Sequence, residues 1–156
     1  MAFEIENLLE IDMVLADEKP NSKKQLLQIL SEQAGEKTGI DKRKIFDVLL
    51  QRERLGSTGV GSGIAIPHGC LPELDNIFAI FARLRSPIEY EALDDQKVDI
   101  VFLLLAPEID GADHLKALSR VARVLRDDEL VNNIRNSTDP AAIYALLTKV
   151  PAQDAA

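Results

Sequence analysis

The chemistry this chain could do centres on a histidine. His68 stands in Ile64-Ala65-Ile66-Pro67-His68-Gly69, directly after the glycine-spaced run Gly56-Ser57-Thr58-Gly59-Val60-Gly61-Ser62-Gly63. A short apolar strand over 64–67 is predicted to deliver the imidazole to its end, beside a loop whose backbone can approach a ligand closely. A lone histidine in a turn usually packs against its neighbours and does nothing more. Here the proline before it and the glycine after it fix the backbone and leave room around the ring. A histidine nucleophile can carry a phosphoryl group as an N–P bond. Transfer of that group asks for in-line positioning and for donors around three equatorial oxygens. Backbone N–H groups of a glycine-rich loop, with the hydroxyls of Ser57, Thr58 and Ser62, are suitable donors.

Two further residues fit this chemistry. His114, the one other histidine, falls at the start of a predicted helix over 112–126. It precedes Leu118, Val121 and Leu125 by four, seven and eleven positions, so it shares their inward face, while Lys116, Arg120 and Arg123 fall on the other side. It is either a core histidine bonded to a carbonyl or a second imidazole that donates to phosphate oxygens near the positive end of the helix dipole. Arg52 occupies a core-side slot, seven residues after Ile45 and three after Leu49, just before the glycine run. A guanidinium there must reach out to solvent or find an anion. It either compensates the dipole at a helix C-terminus or clamps a phosphate. Arg54, on a more peripheral face, is the weaker alternative.

Other chemistries fit poorly. No Lys-Ser/Thr pair closes the glycine run, so it is not a P-loop, and a strand follows it where a dinucleotide fingerprint needs a helix. His68-x-Cys70 lacks further cysteines and is distant in sequence from His114, so no metal site is expected. Cys70, the single cysteine, reads as a small packed thiol. Glu89, Glu91, Asp94 and Asp95 read as a solvated loop, and no serine elbow is present. No cofactor is implied.

The frame around these residues is that of an ordinary single domain. A chain of 156 residues buries roughly 70% of the surface its unfolded form would expose. Residues 1–150 are expected to form that domain and 151–156 a flexible tail. The net charge of −8 works against binding a nucleic-acid backbone, and no Lys/Arg run or RNA-binding aromatic motif offsets it. The longest apolar run, Ile100 to Ala106, is too short to insert in a membrane. The N-terminus lacks a signal-peptide pattern, and one cysteine leaves no internal disulfide framework. A cytoplasmic protein is expected.

Periodicity places the elements. A strand is predicted at 13–16, then a helix capped by Asn21 or Ser22, with Leu26, Leu27, Ile29, Leu30 and Ala34 inward, ending between Gly35 and Gly39. Asp41 caps a second helix whose inner stripe is Ile45, Val48, Leu49, Arg52 and Leu55, and Gly56 stops it. Strands follow at 64–67, 77–84 and 98–105; the last is apolar almost throughout, as a central strand covered on both faces would be. Helices at 112–126, at 128–136 and from Asp139-Pro140 onward complete the chain. Helices before, strands between and helices after make an α/β sheet sandwiched by helical layers.

At this point the residues resemble a known family. The run from Arg52 to Gly69 is similar to the active-site signature of fructose/mannitol-type enzyme IIA domains of the bacterial phosphoenolpyruvate-dependent phosphotransferase system. The similarity continues through Pro87-Ile88-Glu89-Tyr90, Val98-Asp99, Leu103-Leu104-Leu105-Ala106-Pro107 and His114-Leu115. Within that family, the Gly-Ser-Thr-Gly-Val-Gly wording and the lack of a fused carrier or membrane domain fit the standalone nitrogen-regulatory branch. The resemblance implies a three-layer α/β/α sandwich with a mixed sheet. It implies that His68 accepts phosphate from an HPr-like carrier, that Arg52 and His114 are the active-site arginine and second histidine, and that Ser57 and Thr58 lie in the neighbouring loop. The expected role is that of a regulatory phosphocarrier read by target proteins; the alternative is a sugar-transport component that passes phosphate to an enzyme IIB. A binding module with a dead site fits less well, because all three site residues are intact.

Overall fold

The computed structural model describes residues 4–108 and 111–154, the last five by their backbone only. After a short helix α1 (Ile5–Leu8) and a 3-10 turn (Ile11–Met13), the chain runs through β1 (Val14–Glu18), α2 (Lys23–Thr38), α3 (Lys42–Leu55), β2 (Gly59–Gly61), β3 (Ile64–Ala65), β4 (His68–Cys70), β5 (Phe78–Ile88), β6 (Val98–Ala106), α4 (Gly111–Val124), α5 (Asp128–Arg135) and α6 (Pro140–Asp154). Ser22 and Asp41 cap α2 and α3 as expected: the Ser22 hydroxyl accepts from the Gln25 N–H and the Asp41 carboxylate from the Arg43 N–H. Residues 151–154, read from the sequence as tail, continue the α6 backbone to Asp154. Pro151 removes one hydrogen-bond donor at that end of the helix.

The sheet is mixed, ordered β1-β5-β6-β3-β2, with β4 also paired to β6. β5 runs antiparallel to β6, while β1 runs parallel to β5, and β3 and β4 run parallel to β6. The apolar β6 is the central strand: every residue but Asp99 is buried. α2 and α3 pack together, α3 lying against β4 and α2 against β5. Side-chain alternation along β4 decides what faces them. A Cβ on Gly69 would sit 2.5 Å from Val48 Cγ1 of α3, so glycine is what lets that helix approach. His68 and Cys70 therefore point to the opposite face, where α4 lies and Cys70 touches His114. α6 packs on β1 and carries α1 and α5. The result is a three-layer α/β/α sandwich.

Two expectations need correction. The strand expected at 64–67 is two strands, β3 and β4, laid end to end along β6. Pro67 has no N–H for the ladder, so pairing lapses there and resumes at His68, with Pro67's carbonyl still accepting from the Leu104 N–H at 3.0 Å. The glycine run is likewise not all loop: β2 folds back antiparallel on β3 through Ser62 and Gly63, both at positive φ (58° and 81°). In addition, Leu55, placed on the inner stripe of α3, is 85% exposed. It lies at the margin of the stripe and is the last residue of the helix, where the chain has left the core.

Candidate active site around His68

β4 fixes the backbone of His68, and one hydrogen bond fixes its ring. Nδ1 lies 2.8 Å from the Ile66 carbonyl oxygen. A carbonyl can only accept, so Nδ1 carries the proton and Nε2 keeps its lone pair. Arg52, in the last turn of α3, donates its Nε–H to that same Nε2 at 3.2 Å and an Nη1–H to the Gly56 carbonyl at 2.8 Å. The second bond is the C-terminal capping that one reading of Arg52 anticipated; the first places the guanidinium against the unprotonated ring nitrogen. Two of its five N–H donors are used in this way. Arg54 is exposed on the helix surface.

α4 supplies the second imidazole. The rings of His114 and His68 stand edge to face with centroids 5.5 Å apart. His114 is buried on the inner face of its helix with Ala117, Val121 and Val124, the side the periodicity indicated. Its Nδ1 is 3.6 Å from Cys70 Sγ. Its Nε2 is buried and, among the described residues, has no hydrogen-bond partner. Burial holds both imidazoles below the ordinary histidine pKa. For His68 the Arg52 charge adds to that effect, while the Ile66 bond and the Glu53 charge oppose it. For His114 the neighbouring His68 adds to it. Both shifts favour the neutral imidazole at pH 7, in which the Nε2 lone pair of His68 accepts the Arg52 N–H.

Ser57 and Thr58 lie nearby, but their hydroxyls face inward. Ser57 Oγ donates to the Tyr90 carbonyl at 3.0 Å and accepts from the Gly59 N–H at 3.0 Å. Thr58 is buried; its hydroxyl bonds Glu53 Oε2 and lies 3.0 Å from the Tyr90 hydroxyl, while its N–H donates to Glu53 Oε1 at 3.0 Å. The expectation that these hydroxyls serve as phosphate donors does not fit this arrangement, since a buried carboxylate and a backbone carbonyl already hold them.

The residues that organise the loop were not singled out from the sequence. Glu53 is buried beside Arg52 and accepts from Thr58, from the Tyr90 hydroxyl at 3.1 Å and from Lys23 Nζ at 3.0 Å. Lys23 also donates to the Tyr90 carbonyl at 3.3 Å and sits 4.4 Å above the Tyr90 ring. Burial and the Glu53 charge raise the Tyr90 phenol well above its usual pKa, so it stays protonated and donates. One signal was present: Glu53 continues the i, i+4 spacing of Ile45 and Leu49, which puts an acid on the core side of α3. Cys70 was read only as a packed thiol, and its contact with His114 spans 44 positions. Among the described residues no cluster of three or more His, Cys, Asp or Glu side chains could hold a metal ion. No helix among them is long and apolar enough to cross a membrane.

A histidine whose unprotonated ring nitrogen accepts from an arginine, with a second imidazole across from it on a mixed α/β/α sheet, fits a class of phosphotransferase component. Residues 7–150 match the family described as phosphoenolpyruvate-dependent sugar phosphotransferase system, EIIA 2, and the chain belongs to it. Within it, the chain is 55% identical over 148 residues to a nitrogen regulatory protein of Bradyrhizobium diazoefficiens, covering 95% of this chain and 97% of that one. Its fold matches the crystal structure of nitrogen regulatory protein IIA-Ntr from Neisseria meningitidis with a TM-score of 0.87 at 30% identity, covering 91% of this chain and 97% of that one. It also matches enzyme IIAMtl from Escherichia coli, solved in complex with phosphorylated enzyme IIBMtl, with a TM-score of 0.75 at 18% identity, covering 89% and 96% of the two chains.

Proposed function

We propose that this protein is a regulatory phosphocarrier, that His68 Nε2 takes the phosphoryl group, and that the donor is the phosphohistidine of an HPr-like carrier. The observation that carries the reading is the state of His68. Nδ1 is tied to Ile66 and Nε2 faces Arg52 with its lone pair intact. As the donor's phosphohistidine approaches, the Arg52 N–H leaves Nε2, and the freed lone pair forms a new P–N bond. The old P–N bond breaks, and its electron pair returns to the carrier's imidazole. The displaced Arg52 guanidinium turns to the equatorial oxygens, where its planar fork can hold two at once. His114 Nε2, buried without a partner, donates to a third position on the transferring group. Residues 1–150 act as one domain and the protein works in the cytoplasm.

The regulatory role is supported by relatives at 55% and 37% identity, which are nitrogen regulatory proteins. A phosphoryl group adds about −1.5 to −2 charges at the mouth of the site. Target proteins that dock over it would then bind the two forms with different affinity, which is what makes phosphate a signal. The second reading is a sugar-transport component that passes phosphate to an enzyme IIB. Its support is the IIAMtl–IIBMtl complex, a neighbour in fold at low identity.

The deciding experiment incubates wild type and His68→Ala with a phosphorylated HPr-like carrier and reads intact mass. Wild type is expected to gain one acid-labile phosphate and His68→Ala none. Uptake by the alanine variant at the wild-type rate overturns the assignment. Pulldowns with the phosphorylated and unphosphorylated forms separate the two roles: an enzyme IIB as the sole specific acceptor, with fast onward transfer, rejects the regulatory reading.

A further inference from the structure

We propose that Cys70 is a positioning residue that sets the tautomer of His114 by donating its S–H to Nδ1, so that the buried, unpartnered Nε2 carries a proton toward the His68 site. The inference rests on the phosphocarrier reading and adds to it a residue outside the His68–Arg52–His114 trio.

The geometry allows two arrangements. In one, the Cys70 thiol donates to His114 Nδ1 across 3.6 Å, and Nε2 is an N–H donor. In the other, Nδ1–H points at the sulfur and Nε2 presents a lone pair. Only the first arrangement suits an anionic phosphoryl group held at the facing ring, 5.5 Å away between centroids; a lone pair there would repel it. A neutral imidazole has one proton for two nitrogens, and the partner of one nitrogen decides the role of the other. Among the described residues His114 has a single partner for this purpose, since Nε2 is buried with none and the residue is only 9% exposed. A sulfhydryl can donate weakly, whereas a thiolate cannot. Burial and the nearby Glu108 carboxylate push the Cys70 pKa up, which keeps the S–H in place. Strand alternation makes the contact possible: Cys70 is two residues from His68 on β4, so both side chains leave the sheet on the α4 face.

Long-range 1H–15N NMR of His114 in the wild-type protein reads the tautomer directly. Protonated Nε2 is expected, and a dominant Nδ1–H form overturns the proposal. Single-turnover phosphate uptake supplies the functional arm. Cys70→Ala should slow transfer by about threefold to tenfold, the range for losing one weak neutral hydrogen bond. The same substitution in a His114→Ala background should have no further effect, since the thiol acts only through that ring. An equal loss in both backgrounds would assign Cys70 to packing and reject the proposal, as would an unchanged rate in Cys70→Ala. Failure of the phosphocarrier reading shows up separately, as normal uptake by His68→Ala.

Discussion

Two polar clusters sit side by side at the end of α3, and they are built on opposite terms. Behind the loop, Glu53, Lys23, Thr58 and Tyr90 satisfy one another: the buried carboxylate accepts from a hydroxyl, a phenol, an amide and an ammonium. In front, at His68, hydrogen-bonding capacity is left open. Among the described residues His114 Nε2 has no partner, Arg52 rests on the lone pair of the nitrogen that would attack, and the two rings meet only edge to face. Adjacent residues of one helix, Arg52 and Glu53, serve the two clusters. A satisfied buried network rigidifies what surrounds it, while an unsatisfied buried group is costly until a ligand completes it. The closed cluster thus restrains the loop, and the open one keeps the polar capacity that the proposed phosphoryl group would complete.

Substitutions in the two clusters should therefore fail in different ways. After His68 itself, the largest effect is expected at His114. Removing one positioned donor from a developing charge costs about 10²–10³ in rate, so His114→Ala should still load phosphate on His68, at a rate lower by that factor in a rapid-quench assay. A stable phosphoryl group found on His114 itself would reverse the roles of the two rings. Arg52→Lys comes next: the charge stays and the fork is lost, with transfer slowed by roughly tenfold or more and the melting temperature nearly unchanged. Should Arg54→Lys do the damage instead, the clamp has been assigned to the wrong arginine.

On the closed side, Thr58→Val should show up in stability rather than chemistry. Leaving the Glu53 carboxylate short of a donor costs about 1–3 kcal/mol, measurable by urea denaturation, with uptake per folded molecule within about threefold of wild type. A large loss of transfer without loss of stability would return the hydroxyl to the phosphate site. The smallest effect is in the acid titration. Both imidazoles are held below the ordinary value of about 6.5. The unfolded chain therefore takes up protons that the folded one refuses, and stability falls as pH drops below that value. His68→Ala and His114→Ala should each flatten this acid limb. NMR titration should place both midpoints under about 6.5, and a midpoint above it would mean that the rings are not held neutral.

Much of this was legible along the chain because its signals are local. Pro67-His68-Gly69 marks a restrained imidazole, helical spacing puts His114 and Arg52 on inward faces, and the apolar run at 98–105 announces a central strand. Signals that depend on a few residues were weaker. β2 and β3 are three and two residues long, too short for a period-two pattern, so the hairpin at Ser62-Gly63 read as loop. Leu55 carried the inner spacing of α3 but lies beyond the end of the core.

By itself, then, the sequence determined the chemistry available here: one imidazole in a rigid frame, an arginine and a second histidine on the inner faces of two helices, and a central strand buried on both sides. Local periodicity and backbone restriction are written in neighbouring residues. Only the tertiary structure decided which groups remain open. Lys23 meets the Tyr90 carbonyl across 67 positions, Tyr90 meets Glu53 across 37 and Cys70 meets His114 across 44. Whether a hydroxyl or a ring nitrogen is free to meet a phosphate depends on partners that no local pattern reveals, because hydrogen-bond satisfaction is a property of the packed chain.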